Sequence, residues 1–470
     1  MLTQVREELL SEASLRREWD ERGRRGIDLV MRLEKAGSHY SDLIRKIRKR
    51  RKSRRKSRNL LKTFSGGEED RSVLIRKLER RERRLNKAVD AYLKAVQSEL
   101  VSNRVEIKVK AGPAPKLGEK QTYRLSTASP DATLFVSRLI TRSLREAFSL
   151  RSVGRHEIVS ALISTLQGKW PKTLVRADIA SFYESIDHAK LTGILDANHE
   201  VPPLVRGWVA QMLSQFEALG AHAPGRGLPR GVGPSAALAE VYLRSIDSLV
   251  RSRGECVYYG RYVDDIIAVM AITDERDAPV PSYLGEIEAS LATLGLSLSK
   301  EPHKQSEVNL NDAATGAVEI EFLGYAIKHS LSDGGKVHLS LSNARIGRTI
   351  KRLNRTFEVF ARSAKPHGRP ARLLELRVRL LTGNSRLVNS KKDAYVGVRF
   401  SNPLLSSTKS LAQLDGILQQ RLKTLRSDAP PGLRSRLGKH SFAQGWSETR
   451  FVSLSAGDWR DVVSVWRDIA

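Results

Sequence analysis

Two adjacent carboxylates, Asp264 and Asp265, sit between two β-prone runs, Cys256 to Tyr259 before them and Ile266 to Val269 after. No other stretch restricts the fold as strongly. The pattern reads as a β-hairpin with the Asp pair at its turn. Burying two like charges side by side is costly. A tight, exposed turn accommodates them where divalent cations neutralise the pair. Mg²⁺ suits that position, because it takes a few carboxylates together with substrate phosphates and water. The hairpin is therefore a candidate half of a two-metal site for phosphoryl chemistry. An ordinary polar turn, where Asp is common, is the alternative.

Charge narrows the class of partner. The chain has 470 residues, 81 of them Lys or Arg against 52 Asp or Glu, a formal charge of +29. A surplus of this size points to a polyanion, with nucleic acid ahead of an acidic membrane surface. No apolar run approaches the roughly 18 residues that span a bilayer, so no membrane partner is expected. The N-terminus lacks the apolar core of a secretory signal. Cys256 is the only cysteine, which excludes an intrachain disulfide and a cysteine cluster for zinc. These features together fit the cytoplasm.

Residues 1–110 are charged and helix-prone. Ile27, Val30 and Leu33, then Tyr40, Leu43, Ile44 and Ile47, fall at helical spacing, as do Leu85, Val89, Tyr92, Val96 and Leu100. Two or more amphipathic helices follow, arranged as an antiparallel pair around the break at Ser65-Gly66-Gly67. Arg45 to Arg58 holds eleven basic residues in fourteen: Arg45, Lys46, Arg48, Lys49, Arg50, Arg51, Lys52, Arg54, Arg55, Lys56 and Arg58. With no acidic residue inside it, the run reads as a phosphate-contacting segment that supplies affinity rather than sequence specificity. A solvated helix face or a disordered basic tail is the alternative.

Gly112-Pro113-Ala114-Pro115 reads as a linker. Helices follow over Leu134 to Leu150 and through Ile158, Leu162 and Leu166. Arg151, Arg155 and His156 lie between them, where they could meet a triphosphate or be solvated surface. The stretch Leu174 to Ile186 then delivers Asp178 at the end of an apolar strand. If that strand neighbours the hairpin, three carboxylates meet, as in-line nucleotidyl transfer requires. Tyr183 could lie under a sugar or pack in the core. Gly227 to Ser235 is a glycine-rich, basic loop before a helix, suited to phosphate or a base pair. Lys300, Pro302, His303 and Lys304 follow a strand-like run, and Glu321 to Tyr325 reads as a strand and turn. Residues 331–470 are helix-rich and basic. One amphipathic face, Ile346, Ile350, Leu353 and Phe357, runs among Arg345, Arg348, Lys351, Arg352 and Arg355. It could track a duplex backbone or be solvated surface.

Taken in this order, the blocks resemble the motifs of reverse transcriptases: Asp178 to Ile186, Gly227 to Ser235, Tyr262-Val263-Asp264-Asp265, Leu296 to Lys304, and the primer-grip-like Phe322-Leu323-Gly324-Tyr325. Order and spacing make the resemblance specific over roughly residues 130–330. Phe182 to His188, Ala236 to Leu243, Leu381-Thr382-Gly383-Asn384 and Val396 to Phe400 are similar to bacterial abortive-infection and defence-associated enzymes. The last stretch is most similar to the smaller enzyme of two-reverse-transcriptase antiphage systems.

The resemblance implies an α+β right-hand polymerase with a basic helical N-terminal extension (1–110), fingers (111–175), a palm of antiparallel sheet (176–330) and an α-helical thumb and C-terminal region (331–470). It implies RNA-directed DNA synthesis in bacterial antiviral defence. Untemplated or protein-primed synthesis by the same site, or a silent nucleic-acid-binding scaffold, is the alternative. Two Mg²⁺ ions, with Mn²⁺ as a substitute, would be held by Asp178, Ile179, Asp264 and Asp265. Lys304 would be a general acid or a solvated surface lysine. Tyr183 would reject a ribose 2′-hydroxyl, and Phe182 would join it in binding the dNTP. Arg230, Gly231, Ser235 and Val263 would line the nucleotide pocket, with Arg151 and Arg155 towards the triphosphate. Arg230 replaces the glutamine of retroviral enzymes, so template handling would differ. Leu323 and Gly324 would touch nucleic acid. The partners implied are dNTPs, the DNA product, a structured noncoding RNA, and a second reverse transcriptase or another copy of the chain.

Overall fold

The computed structural model describes residues 7–24, 28–102, 105–115, 120–151, 153–220, 222–272, 282–301, 304–311, 317–386 and 394–469. Ile27, Pro302 and His303 lie outside them.

The chain opens with helices α1 (Glu12–Arg24), α2 (Leu29–Ala36), α3 (Ser41–Lys62) and α4 (Glu68–Ser102). α3 and α4 are antiparallel: Arg81 donates to the Ser53 carbonyl, and Arg50, nearer the start of α3, reaches the Arg84 carbonyl. The hairpin β1 (Lys108–Ala111) and β2 (Tyr123–Ser126) follows. Gly112 to Pro115 is thus part of a hairpin connection, tied by the Gly112 amide to the Thr122 carbonyl at 2.7 Å, and not a linker between regions. α5 (Pro130–Ala147) receives the N-terminal helices through buried carboxylates. Asp131 accepts from Ser38 Oγ and Tyr92 Oη, both at 2.8 Å, and from the His39 amide at 3.0 Å. Glu18 on α1 is paired with Arg138 and Arg142 of α5. These buried contacts, the hydrogen-bonded Asp131 and the ion-paired Glu18, dock the basic helices onto the rest of the chain, in place of a disordered tail.

α6 (Arg155–Leu166) leads into β3 (Lys172–Asp178). Then come a helical turn at Phe182–Ser185, α7 (His188–Ala197), α8 (Pro203–Glu217), α9 (Gly233–Tyr242), α10 (Arg244–Arg251), β4 (Cys256–Tyr262), β5 (Asp265–Ala271), α11 (Tyr283–Thr293) and β6 (Ser306–Asn309). The four strands form one antiparallel sheet in the order β4-β5-β3-β6. Its two faces bury into different cores. Ile266, Ala268 and Met270 join the core of α5, α7, α8, α9 and the N-terminal helices, whereas Ile267 and Val269 join that of α6 and the C-terminal half. A strand buried on both faces has to be apolar at every position, which is why Ile266 to Ala271 reads as a continuous run.

A second antiparallel sheet, β7 (Ala317–Phe322), β8 (Tyr325–Ser330) and β9 (Lys336–Leu341), covers that second core. α12 (Asn343–Ala361) and α13 (Arg369–Thr382) follow, then the short pair β10 (Asn384–Arg386) and β11 (Tyr395–Gly397), α14 (Lys409–Lys423), α15 (Leu433–Gly438), α16 (Phe442–Ser447) and α17 (Ala456–Ser464). The segments Leu381–Asn384 and Val396–Phe400 meet here. Gly397 has φ +128°, and a Cβ on it would lie 2.4 Å from the Gly383 carbonyl oxygen. The buried Asn384 amide accepts from the Arg399 N–H at 2.9 Å and donates to the Gly445 carbonyl at 3.1 Å. These residues lock a close approach of three backbones. No helix among the described residues is long and apolar enough to cross a membrane.

Candidate active site

β3 ends at Asp178, and its register partner on β5 is Asp265. Asp264 and Val263 form the turn before β5. Val263 sits at φ +62°, a left-handed conformation that is rare for a β-branched residue. The amide of Ile179 donates to the Asp264 carbonyl at 3.3 Å, and Ser299 donates to the Asp178 carbonyl at 2.7 Å. The end of β3 is thereby held between the hairpin turn and the segment before Lys304. The side chain of Ile179 is buried.

The hairpin has a buttress that the sequence reading missed. Arg261 donates to both Asp247 oxygens at 2.7 Å, to Glu240 at 2.8 Å and to the Val263 carbonyl at 2.9 Å. Tyr259 Oη donates to Asp247 at 2.6 Å. The available signal was the spacing: Tyr259 and Arg261 share a strand face, opposite one carboxylate on each of the two successive helices α9 and α10.

Charge at the corner is only partly balanced. Burial and the nearby Asp178 carboxylate raise the Asp264 carboxyl above its usual range. The same causes push Asp265 up to about 6, against the opposing pull of Arg176. Lys304 Nζ lies 3.2 Å from Asp178 Oδ2 and 3.4 Å from Glu301. Burial pulls its pKa down, but these carboxylates outweigh that and raise it. Lys304 is therefore neither free nor simply solvated surface. Arg176, also missed from sequence, places a guanidinium nitrogen 3.8 Å from Asp265.

Among the described residues, no group of three His, Cys, Asp or Glu side chains converges as a metal cage does. Lys304 holds Asp178, and Arg176 faces Asp265. In donor type and in charge the set still fits a divalent cation. It consists of hard oxygen ligands on adjoining strands, two of them carrying charge that burial and repulsion disfavour. Asp178, Asp264 and Asp265 are the residues that could hold it.

A cleft of about 490 Å³ opens over this corner. Tyr183, Val263, Asp264, Asp265 and Arg176 line one side, and Leu323, Gly324, Arg345, Arg348 and Arg155 the other. Leu323 and Gly324 form the β7–β8 turn at φ +46° and +83°. A Cβ on Gly324 would lie 2.7 Å from the Arg345 guanidinium.

Several expected pocket residues stand elsewhere. Ser235 is buried, and its hydroxyl donates to the Pro229 carbonyl at 2.8 Å, so it braces the glycine-rich loop. Gly231 (φ +86°) packs against the β1–β2 hairpin, where a Cβ would lie 3.3 Å from the Tyr123 carbonyl oxygen. Neither lines the cleft. Phe182 is a core residue, edge-on to Tyr183, and Arg151 is exposed away from the cleft lining. Arg230 does face the cleft, but it is clamped. It makes two hydrogen bonds to Glu184 (2.9 and 3.0 Å) and lies 4.6 Å from the Tyr183 ring centroid. Burial pushes the Glu184 carboxyl up, yet Arg230, with Lys120, brings it down to about 2. The pair fixes Tyr183 at the cleft edge.

The basic run on α3 is not free of acidic partners. Arg45 pairs with Asp42, Arg48 with Glu34, Arg51 with Asp28 and Arg54 with Glu82. Lys46, Lys49, Lys52, Arg55, Lys56 and Arg58 are exposed.

Residues 115–327 match the family model described as reverse transcriptase (RNA-dependent DNA polymerase). This segment is therefore similar to the reverse-transcriptase family, and the match fits a right-hand polymerase fold. No curated protein matches the chain. Among solved structures it is similar to apo telomerase from Candida tropicalis, with 10% identity and a TM-score of 0.35 over 76% of this chain and 60% of that one. A form of that enzyme truncated from the C-terminal domain gives 11% identity and a TM-score of 0.34, over 54% and 60%. Telomerase from Candida albicans in complex with a fragment of telomeric RNA gives 10% and 0.35, over 76% and 57%. The chain thus spans about three fifths of the length of these structures.

Proposed function

We propose that the chain is an RNA-directed DNA polymerase that extends a 3′-hydroxyl with dNTPs. The observation that carries this reading is the pairing of Asp178 with Asp265, with Asp264 in the adjoining turn, inside the segment that matches a reverse-transcriptase domain. In the step itself, the primer 3′-oxygen loses its proton and bonds to the α-phosphorus. The bond from that phosphorus to the bridging oxygen breaks, and pyrophosphate leaves. Bound Mg²⁺, or Mn²⁺ in its place, would supply Lewis-acid activation of the 3′-oxygen and neutralise the leaving group. Asp178, Asp264 and Asp265 would hold it once Lys304 has let go of Asp178. Lys304, on release, would give a proton to the departing pyrophosphate. Tyr183, fixed by Arg230 and Phe182, would meet the sugar.

The sequence motifs support a role in bacterial antiviral defence, with the enzyme in the cytoplasm. The +29 charge supports a structured noncoding RNA as the template. A DNA primer annealed to an RNA template, with Mg²⁺ and labelled dNTPs, tests the activity. Template-dependent extension supports the reading. Failure on that duplex, together with failure on the RNA that co-purifies with the chain, would leave a nucleic-acid-binding scaffold as the better account.

A further inference from the structure

Behind the cleft lies a second cavity, of about 520 Å³, bounded by α12, α13, β11 and the C-terminal helices. Arg155, Arg345, Arg348, Arg352 and Arg467 line it, and no Asp or Glu does among the described residues. The rest of the lining is largely apolar and aromatic, including Leu380, Val398, Trp459 and Trp466.

Arg155 and Arg345 are held in place by contacts that do not neutralise them. Arg155 and Arg345 both donate to the Ser401 carbonyl, at 2.8 and 3.0 Å, and Arg345 also bonds the Asn402 side chain. Carbonyl and amide oxygens orient a guanidinium but carry no countercharge. The Nε of Arg352 is buried without a hydrogen-bond partner among the described residues. Burial and the neighbouring Arg155 pull the Arg345 pKa down to about 10, and burial lowers that of Arg352. Gathering like charges in a half-desolvated place is unfavourable until an anion joins them.

The aromatic lining names the rest of the ligand. Trp466 is buried and spends its indole N–H on the Arg352 carbonyl and Thr356 Oγ1, both at 3.0 Å, so the half-buried Trp459 is what offers the cavity an aromatic face. Guanidinium forks match phosphate oxygens, and tryptophan faces accept a base by stacking. The volume suits one small ligand and excludes a duplex.

We propose that this cavity binds a single phosphorylated nucleoside, with the phosphate on the arginines and the base against Trp459. Arg155, Arg345 and Arg348 are shared with the cleft, so the ligand is either a free nucleotide or the terminal nucleotide of a strand leaving the cleft. The inference rests on charge and shape and does not need the polymerase reading.

The test uses the full chain in EDTA, which removes divalent metal from the carboxylate corner. Fluorescent dATP and labelled oligodeoxynucleotides, with and without a 5′-phosphate, are titrated against it. The double variant Arg352→Gln, Arg467→Gln should weaken binding at least tenfold, and the exposed Arg467→Gln alone about threefold. Asp264→Asn should stay within twofold of wild type. Unlabelled dATP should quench tryptophan emission in wild type, with the quench reduced in Trp459→Phe. Binding of dATP identifies a free nucleotide, and binding of the 5′-phosphorylated oligonucleotide alone identifies a strand terminus. Binding by neither overturns the proposal, as does affinity unchanged in a folded Arg352→Gln, Arg467→Gln variant or lost in Asp264→Asn.

Discussion

Asp178 and Asp265 are direct partners across the β3–β5 ladder, and Lys304 rather than a second carboxylate completes the contacts of Asp178. Their proximity is built into the register of the sheet. A one-residue slip would turn one of them to the opposite face.

Replacing Asp178 or Asp264 with Asn should therefore abolish catalysis without unfolding the chain. Nucleotide addition should fall by at least about 10³-fold, a loss typical of removing a group that acts in the transition state. The melting temperature should stay level or rise. Steady-state kinetics and thermal melts on the same preparations check this.

The raised pKa of Asp265 makes two linked predictions. Its folded value is about 6, against about 3.9 in an unfolded chain. Between those pH values the folded chain keeps a proton that the unfolded chain has shed, so this group's contribution to stability falls as pH rises from about 4 to 6. The cost then persists above 6. Asp265→Asn should thus be more stable than wild type at pH 7, on the order of 1 kcal/mol, and should lose that advantage near pH 4. Activity should drop as the pH falls through about 6, with a midpoint that moves lower as Mg²⁺ is raised, because the cation competes with the proton. Denaturant melts and pH–rate profiles at two Mg²⁺ concentrations report both.

Arg261→Gln should be far more damaging than a typical surface change. It strands Asp247 and Glu240 beside the hairpin, at a cost of about 3–5 kcal/mol. Arg261→Lys keeps the charge but not the two-pronged fork, and should recover only part of it. Urea denaturation measures the difference.

Tyr183→Ala opens the cleft edge where the ring now sits between Phe182 and Arg230. Ribonucleotide incorporation relative to deoxyribonucleotide should rise on the order of tenfold or more. Unchanged sugar discrimination in a competition assay would remove Tyr183 from that role.

The exposed cations of α3 should set salt sensitivity. Changing Lys46, Lys49, Lys52 and Arg55 to Gln should weaken RNA binding and flatten the slope of log affinity against log salt by roughly 0.7–0.9 per lost phosphate contact. Filter binding over a salt series gives the slope. Indifference would assign these residues to solvent.

Local pattern carried the hairpin and the apolar run after Asp265, but the turn expected at the Asp pair falls one residue earlier, at Val263-Asp264, and Asp265 already belongs to β5. What the sequence hid was set by tertiary partners. Nothing in the local pattern sets Asp131 and Glu18 apart, yet they are buried clamps because Tyr92, Arg138 and Arg142 reach them from other elements. Arg261 and Arg176 read as ordinary strand positions, since their partners lie on other segments. The resemblance implied Ser235 as a pocket residue, but the Pro229 carbonyl claims its hydroxyl. In the C-terminal region the helical pattern was clear. Strand β9 and the β10–β11 pair were not, because they are short and stabilised by backbone approaches at Gly383 and Gly397 that no periodicity encodes.

The most direct test of the acidic corner is to purify wild type and Asp264→Ala in parallel with their co-purifying nucleic acid. Both are then supplied with Mg²⁺ and labelled dNTPs, with no added primer or template. Labelled DNA from wild type alone, lost after prior RNase treatment, is the predicted result. Equal product from both preparations would contradict the account, because synthesis would then come from somewhere other than Asp264 and its neighbours.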